Sequence, residues 1–266
     1  MADTVTTDDI LLREDRGPIT ILTLNEPSRM NPFSDDMRNR LLALLDAVMA
    51  EAAVRVLVLT GAGGHFSAGA DVRQMKGAGG ADPLRSRRRL GVLQNIVRHV
   101  ATGPKPVIAA VEGVAFGAGL SVTAACDWVV AAEGARFGAA FGKIGLAPDC
   151  GLLWSLPQRI GISRTRDMIF TGQPMDATGA LAAGLADHLA PQGEALSAAL
   201  GKAEAYLATA PLSIAATKVA LAALPGGLEE ALALELHQQP LLSSTADHFE
   251  ARSAFLEKRK PVFQGK

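Results

Sequence analysis

Two glycine- and alanine-rich turns carry the first chemical signal in this chain. They are GAGGHFSAGADV at 61–72 and EGVAFGAGLSV at 112–122, each placed where an apolar run gives way to a predicted helix. The leading N–H groups of a helix lack internal acceptors and carry partial positive charge. Two such turns facing one point would therefore form an oxyanion hole made of backbone alone. The same composition also serves ordinary strand-to-helix turns, where glycine lets chains pack closely, and the turns by themselves leave both readings open. Neither turn contains the Gly-Lys-Ser/Thr of a P-loop or a GxGxxG match. Asp149, in Gly145-Leu-Ala-Pro-Asp-Cys-Gly151, is either an acid/base group whose pKa an apolar cleft would raise or an N-cap for the helix that LLWSL begins. Asp71 reads as a helix-start cap, Glu112 as structural, and His65 as a surface-loop residue. Cys126 and Cys150 lack the paired His/Asp spacing of a nucleophile, although Cys150 stands beside Asp149. Arg85, Arg87, Arg88 and Arg89 form a basic cluster, either a solvated helix face or a phosphate contact.

The elements that must hold these residues follow from periodicity. Residues 10–14 and 19–24 read as a hairpin across the turn at 15–18. Ser34 caps a helix over about 35–52, whose Met37, Leu41, Leu44, Leu45 and Val48 recur at helical spacing. Runs at 55–60, 106–111 and 127–132 read as buried strands, the first two ending in glycines, with a helix near 83–101. Strand, glycine turn and helix occur at least twice, which points to an α/β core. Beyond about 155 the chain becomes alanine- and leucine-rich and helical, broken at Gly161, Gly172-Gln-Pro, Pro191-Gln-Gly, Pro211, Pro225-Gly-Gly and Pro240. The expected division is an α/β core over 1–190 and a helical region over 191–266. The terminal segment carries Phe249, Phe255, Leu256 and Phe263 and needs a surface to pack on, a second subunit being one such surface.

Bulk properties narrow the function classes. The chain has 266 residues, 48% of them apolar, with a formal net charge of −1, so it has material for a sizeable core and no global attraction to nucleic acid or anionic membrane. Two cysteines without metal-like spacing indicate neither a metal centre nor a disulfide framework. The acidic, polar N-terminus is unlike a targeting peptide and no apolar run reaches membrane-spanning length, so a cytoplasmic protein is expected.

The blocks GHFSAGADV, VEGVAFGAGL and FGKIGLAPDCG, in that order, together with PSRMNPFS at 27–34 and AFLEKRKPVF at 254–263, resemble the crotonase (enoyl-CoA hydratase/isomerase) family over essentially the whole chain. The resemblance implies a spiral of ββα units followed by a helical trimerisation region, assembled as a homotrimer or homohexamer. It implies an acyl-CoA thioester as substrate, with coenzyme A entering as part of it and no prosthetic group or metal. It places the two oxyanion-hole donors at the N–H of Ala70 and of Ala118. By the same resemblance Arg29, Ser67, Ala68 and Ala70 meet the coenzyme A portion, and Phe255 and Lys258 reach a neighbouring subunit's ligand. Met75, Phe116, Ser121, Phe141 and Trp154 are expected around the acyl group.

The sequence departs from the family's hydratases at two positions. Their paired glutamates fall at Ser121 and Phe141 here, and neither residue can activate water. Asp149 stands where family isomerases carry an acid/base carboxylate. The resemblance thus favours an enoyl-CoA double-bond isomerase, with ring-derived acyl groups among the candidates. The alternatives are a hydratase with atypical acid/base residues and a catalytically silent acyl-CoA binder. An RNA-binding relative would need a comb of cations along one helix face, and the 35–52 helix has only Arg38 and Arg40.

Overall fold

The computed structural model describes residues 9–71, 83–223 and 227–266. The chain opens with a hairpin of β1 (Leu11–Arg16) and β2 (Ile19–Leu24). Its turn tightens to Gly17-Pro18, with Gly17 at φ 59°, so β1 runs two residues past the expected end. The helix α1 (Asp35–Ala50) starts at Ser34, whose side chain accepts the Met37 N–H as expected. Strand β3 (Val56–Gly61), helix α2 (Pro83–Thr102) and strand β4 (Val107–Val111) follow. The second glycine turn contains a short strand that periodicity does not reveal, β5 (Val114–Phe116), before helix α3 (Ala118–Ala125). Then come β6 (Trp128–Ala132), β7 (Arg136–Gly138), α4 (Leu152–Thr171), β8 (Met175–Asp176), α5 (Ala177–Ala183) and β9 (His188–Ala190). The remainder is α6 (Ala195–Leu207), α7 (Pro211–Ala223), α8 (Leu228–Ser243) and α9 (Ala246–Leu256).

Among the described residues the strands form two sheets, one of six in the order β1-β2-β3-β4-β6-β9 and one of three in the order β5-β7-β8. In the larger sheet β1 is antiparallel to β2 and every other pair is parallel. Period-two side-chain alternation divides this sheet into two apolar faces. Leu22, Leu59 and Ala109 lie side by side in register, as do Ile21, Val58 and Ile108 on the reverse. The first face joins the core that holds Met37, Leu41 and Leu45 of α1, Ile96 and Val100 of α2, and Leu120 of α3. The second meets α6 through Ala195, Ala199 and Ala203. These recur every fourth residue, so their small side chains let the helix lie close to the strands.

That packing bears on the expected division at 190. Helix α6 lies beyond it yet covers a face of the sheet, so the helices leave the sheet nearer residue 210. Helix α7 is tied down by the buried Lys218, whose Nζ donates to the carbonyls of Val100 (2.9 Å) and Lys105 (2.8 Å) and to Asp127 (2.5 Å). The break expected at Gly161 is a kink within α4, at φ 75° and ψ 159°. The break expected at Pro240 is absent, because α8 runs through it. Proline there removes one hydrogen bond in the last turn, where the carbonyl that loses its partner belongs to the exposed Leu236.

Candidate active site

The two glycine turns are brought together by backbone. Segment 67–70 lies between residues 30–33 and 114–116. On one side Ala68 N–H donates to Met30 O (2.8 Å) and Phe33 N–H to Gly69 O (2.7 Å). On the other, Ser67 N–H donates to Val114 O and Phe116 N–H to Ser67 O, both at 2.9 Å. Gly69 has φ +92°, and a Cβ there would stand 2.6 Å from Phe116 O and 3.3 Å from Ala118 N. A Cβ at Gly119 would stand 2.7 Å from Ser67 O. Both glycines are therefore demanded by close approach of two backbones. Ala118 is the first residue of α3, after Gly117 at φ 52°, so its N–H belongs to the helix's open first turn. Ala70, next to Gly69, pairs with Phe33 in an isolated bridge.

Asn31 organises this arrangement, and periodicity does not find it. It is fully buried at φ 52°. Its Nδ2 donates to the carbonyls of Ala62 (2.9 Å) and His65 (2.7 Å), and its Oδ1 accepts the Glu26 N–H (2.8 Å). Its own carbonyl accepts the Ser67 hydroxyl (2.7 Å), and Ser67 Oγ accepts the Gly69 N–H (3.1 Å). Asparagine tolerates the left-handed region better than most residues, so an Asn before a proline was the available signal.

Asp149 lies between the 3₁₀ turn Ala140–Ile144 and α4. The N-cap of α4 is Gly151, with no side-chain cap, so the carboxylate is not occupied in capping the helix. Instead the Asp149 carbonyl accepts the Leu152 N–H (3.1 Å) and the Ser121 hydroxyl (3.1 Å). The carboxylate Oδ1 is buried without a hydrogen-bond partner among the described residues. Burial pushes this carboxyl's pKa upward, and the adjacent Cys150 thiol opposes that shift. Burial and the neighbouring Asp149 push the Cys150 thiol up as well.

The remaining candidates divide between this region and others. Ser121 is fully buried on α3, Phe141 is buried in the main core, and Phe116 is half-buried with its ring against Gly138. Trp154 is 37% exposed on the first turn of α4. Met75 lies outside the described residues. Arg29 is held by two carboxylates, Glu26 and Asp71, the latter at 2.8 Å. Asp71 is buried in that ion pair, and the helix start expected after it lies outside the described residues. Ser67 is buried and Ala68 half-buried in the first turn, while Phe255 and Lys258 are exposed at the end of α9.

The weaker candidates have structural duties. His65 Nδ1 accepts the Val114 N–H at 3.3 Å. Glu112 accepts the N–H groups of Gly193 and Ala195, and thereby anchors the start of α6. Cys126 is buried with its thiol on Val122 O, and its pKa is pushed up to about 12 by burial, the opposite of what a nucleophile needs. In the basic cluster Arg85 and Arg89 reach Asp35 at 3.4 and 3.0 Å. The same carboxylate contacts Arg38, which is buried; its pKa is lowered to about 10 by burial and by Arg89 and Arg85.

Comparison with known proteins agrees with this geometry. The sequence profile of the enoyl-CoA hydratase/isomerase family matches residues 14–266. The chain is 38% identical to the 1,2-epoxyphenylacetyl-CoA isomerase of Escherichia coli K12 over 264 residues, covering 97% of this chain and 98% of that protein. It is 34% identical to the 2,3-dehydroadipyl-CoA hydratase of the same strain over 258 residues, again 97% and 98%. The crystal structure of an enoyl-CoA hydratase from Bacillus anthracis superposes with a TM-score of 0.90 at 29% identity, over 97% of this chain and all of that one. Sequence motifs, facing turns and overall topology therefore lead to one assignment: the chain is a crotonase-fold member of the enoyl-CoA hydratase/isomerase family, whose substrates are acyl-CoA thioesters.

Proposed function

We propose that this enzyme is an enoyl-CoA isomerase that shifts a carbon–carbon double bond within an acyl-CoA, with Asp149 as its acid/base group. In this reading the N–H groups of Ala70 and Ala118 hold the thioester oxygen. The Asp149 carboxylate takes a proton from the α-carbon of a β,γ-unsaturated acyl group. The C–H electron pair forms a double bond between the α-carbon and the thioester carbon while the carbonyl pair moves onto the held oxygen as a dienolate; when the carbonyl re-forms, the α-carbon pair becomes the α,β double bond and the β,γ pair is freed to take a proton at the γ-carbon. Asp149 then returns the proton to the γ-carbon. Proton and electrons balance within the substrate, so neither metal nor redox group is required. Hydration instead adds water across the double bond, for which the family's hydratases use two carboxylates. Ser121 and Phe141 occupy those positions here.

The observation that carries this reading is the buried Oδ1 of Asp149, without a hydrogen-bond partner among the described residues, on a segment whose backbone is bonded to the helix that Ala118 begins. A carboxylate with one oxygen uncommitted and a raised pKa suits a group that accepts and returns a proton. Phe116, Phe141, Trp154 and Met75 would wall the acyl group. Ser67, Ala68 and Arg29 would meet coenzyme A, with Phe255 and Lys258 contributed across a subunit boundary. The isomerase relative, by name an enzyme of a ring-bearing acyl-CoA, supports extending the acyl group to ring-derived ones.

The test is Asp149→Asn with vinylacetyl-CoA as substrate. Asparagine keeps the size but takes up no proton. The variant is expected to fold, to bind acyl-CoA, and to lose conversion to crotonyl-CoA and α-proton exchange in D₂O by several orders of magnitude. Efficient hydration of crotonyl-CoA by the parent enzyme, undiminished in Asp149→Asn, would establish the hydratase alternative instead.

A further inference from the structure

If Asp149 is the acid/base group, its placement relative to Ala118 must be maintained to a fraction of an ångström. We infer that Ser121 is the positioning residue that does this, by clamping the Asp149 backbone to α3. This inference rests on the isomerase reading above and adds one residue to it.

The Ser121 clamp follows from hydrogen-bond geometry. Its hydroxyl has one proton and lies near two carbonyls, Gly117 O at 3.2 Å and Asp149 O at 3.1 Å. Gly117 O already accepts the Ser121 N–H at 3.0 Å, whereas the bond to Asp149 O joins two separate segments. Ser121 is fully buried and stands one helical turn from Ala118. A single hydroxyl thus ties the acid/base segment to the helix that presents an oxyanion donor. A glutamate at this position would carry its own proton chemistry, and serine replaces that chemistry with a clamp.

The experiment compares Asp149→Asn and Ser121→Ala on vinylacetyl-CoA, with kcat, KM and melting temperature measured for each. Ser121→Ala removes one atom from a packed site and is expected to fold, keep its KM and lose about 10–10² in kcat. Parent-like kcat in Ser121→Ala, with Asp149→Asn inactive, would overturn the positioning role alone. An active Asp149→Asn would overturn the acid/base reading beneath it.

Discussion

At the scale of single residues, Asp149 carries opposed consequences for stability and activity. Burial raises its folded pKa above the value in the unfolded chain. Such a carboxyl is fully compatible with the fold below its unfolded pKa, and stability is lost as pH rises through the folded pKa. Asp149→Asn should therefore melt above the parent at neutral pH, and the gap should close in acid, once the parent carboxyl is protonated in both states. A variant that melts lower than the parent at neutral pH would contradict a desolvated carboxylate. Arg29 shows why charge removal must be read alongside stability. Its guanidinium neutralises Asp71, whose side chain is 6% exposed, so Arg29→Ala should cost about 1 kcal/mol of stability besides any loss of coenzyme A affinity. Lys258 is exposed just past the end of α9, and Lys258→Ala should weaken coenzyme A binding without lowering the melting temperature, more so at low salt. Calorimetric titration at two salt concentrations checks both; parent affinity in both variants would remove these cations from the nucleotide site.

At the scale of elements, what matters is how closely the two turns approach. Gly69 combines φ +92° with a would-be Cβ only 2.6 Å from a backbone oxygen, and backbone in a packed site has little room to yield. Gly69→Ala is expected to destabilise the fold by about 2–4 kcal/mol from left-handed strain and overpacking. If it folds at low temperature, separating the two donors should lower kcat by about 10²–10³. Chemical denaturation and steady-state kinetics on the same sample would check the pair of effects. A Gly69→Ala enzyme with parental stability and turnover would show that the turns need not be this close. The helix α6, by contrast, depends on small side chains at Ala195, Ala199 and Ala203 and supports the sheet.

At the scale of the whole molecule, the C-terminal helices set the main expectation. None of the sixteen residues of α8 is buried, and Leu228, Leu236, Leu241, Phe255 and Leu256 are each more than 70% exposed. An isolated chain rarely presents so much contiguous apolar surface to water. The expected outcome is a particle of three or six chains by light scattering, with a sharp fall in thermal stability for substitutions such as Leu236→Glu. A stable monomer at micromolar concentration would leave these helices unexplained. Assembly would also bear on the site, since Phe255 and Lys258 lie on this exposed surface rather than in the buried core.

The sequence by itself determined the longer elements of the sheet and the family. Ser34 as a cap, the two apolar faces of the parallel strands and the glycine turns are local patterns, and local patterns survive in one dimension. What it left open were contacts between distant segments. Asn31 reads as one polar residue before a proline until the fold brings Glu26, Ala62, His65 and Ser67 around it. Strand β5 is too short to show a period and exists because Ser67 and Arg136 lie alongside it. Asp149 as an N-cap and Asp149 with a free buried oxygen are identical in sequence. Only the path of Cys150 and Gly151 through left-handed backbone, which makes Gly151 the cap, distinguishes them. Likewise nothing local pairs Arg29 with Asp71 or Ser121 with Asp149. Hydrogen bonds and burial arise between residues 28 and 42 positions apart, and they are decided by tertiary packing because desolvation and partner geometry exist only once the chain has closed on itself.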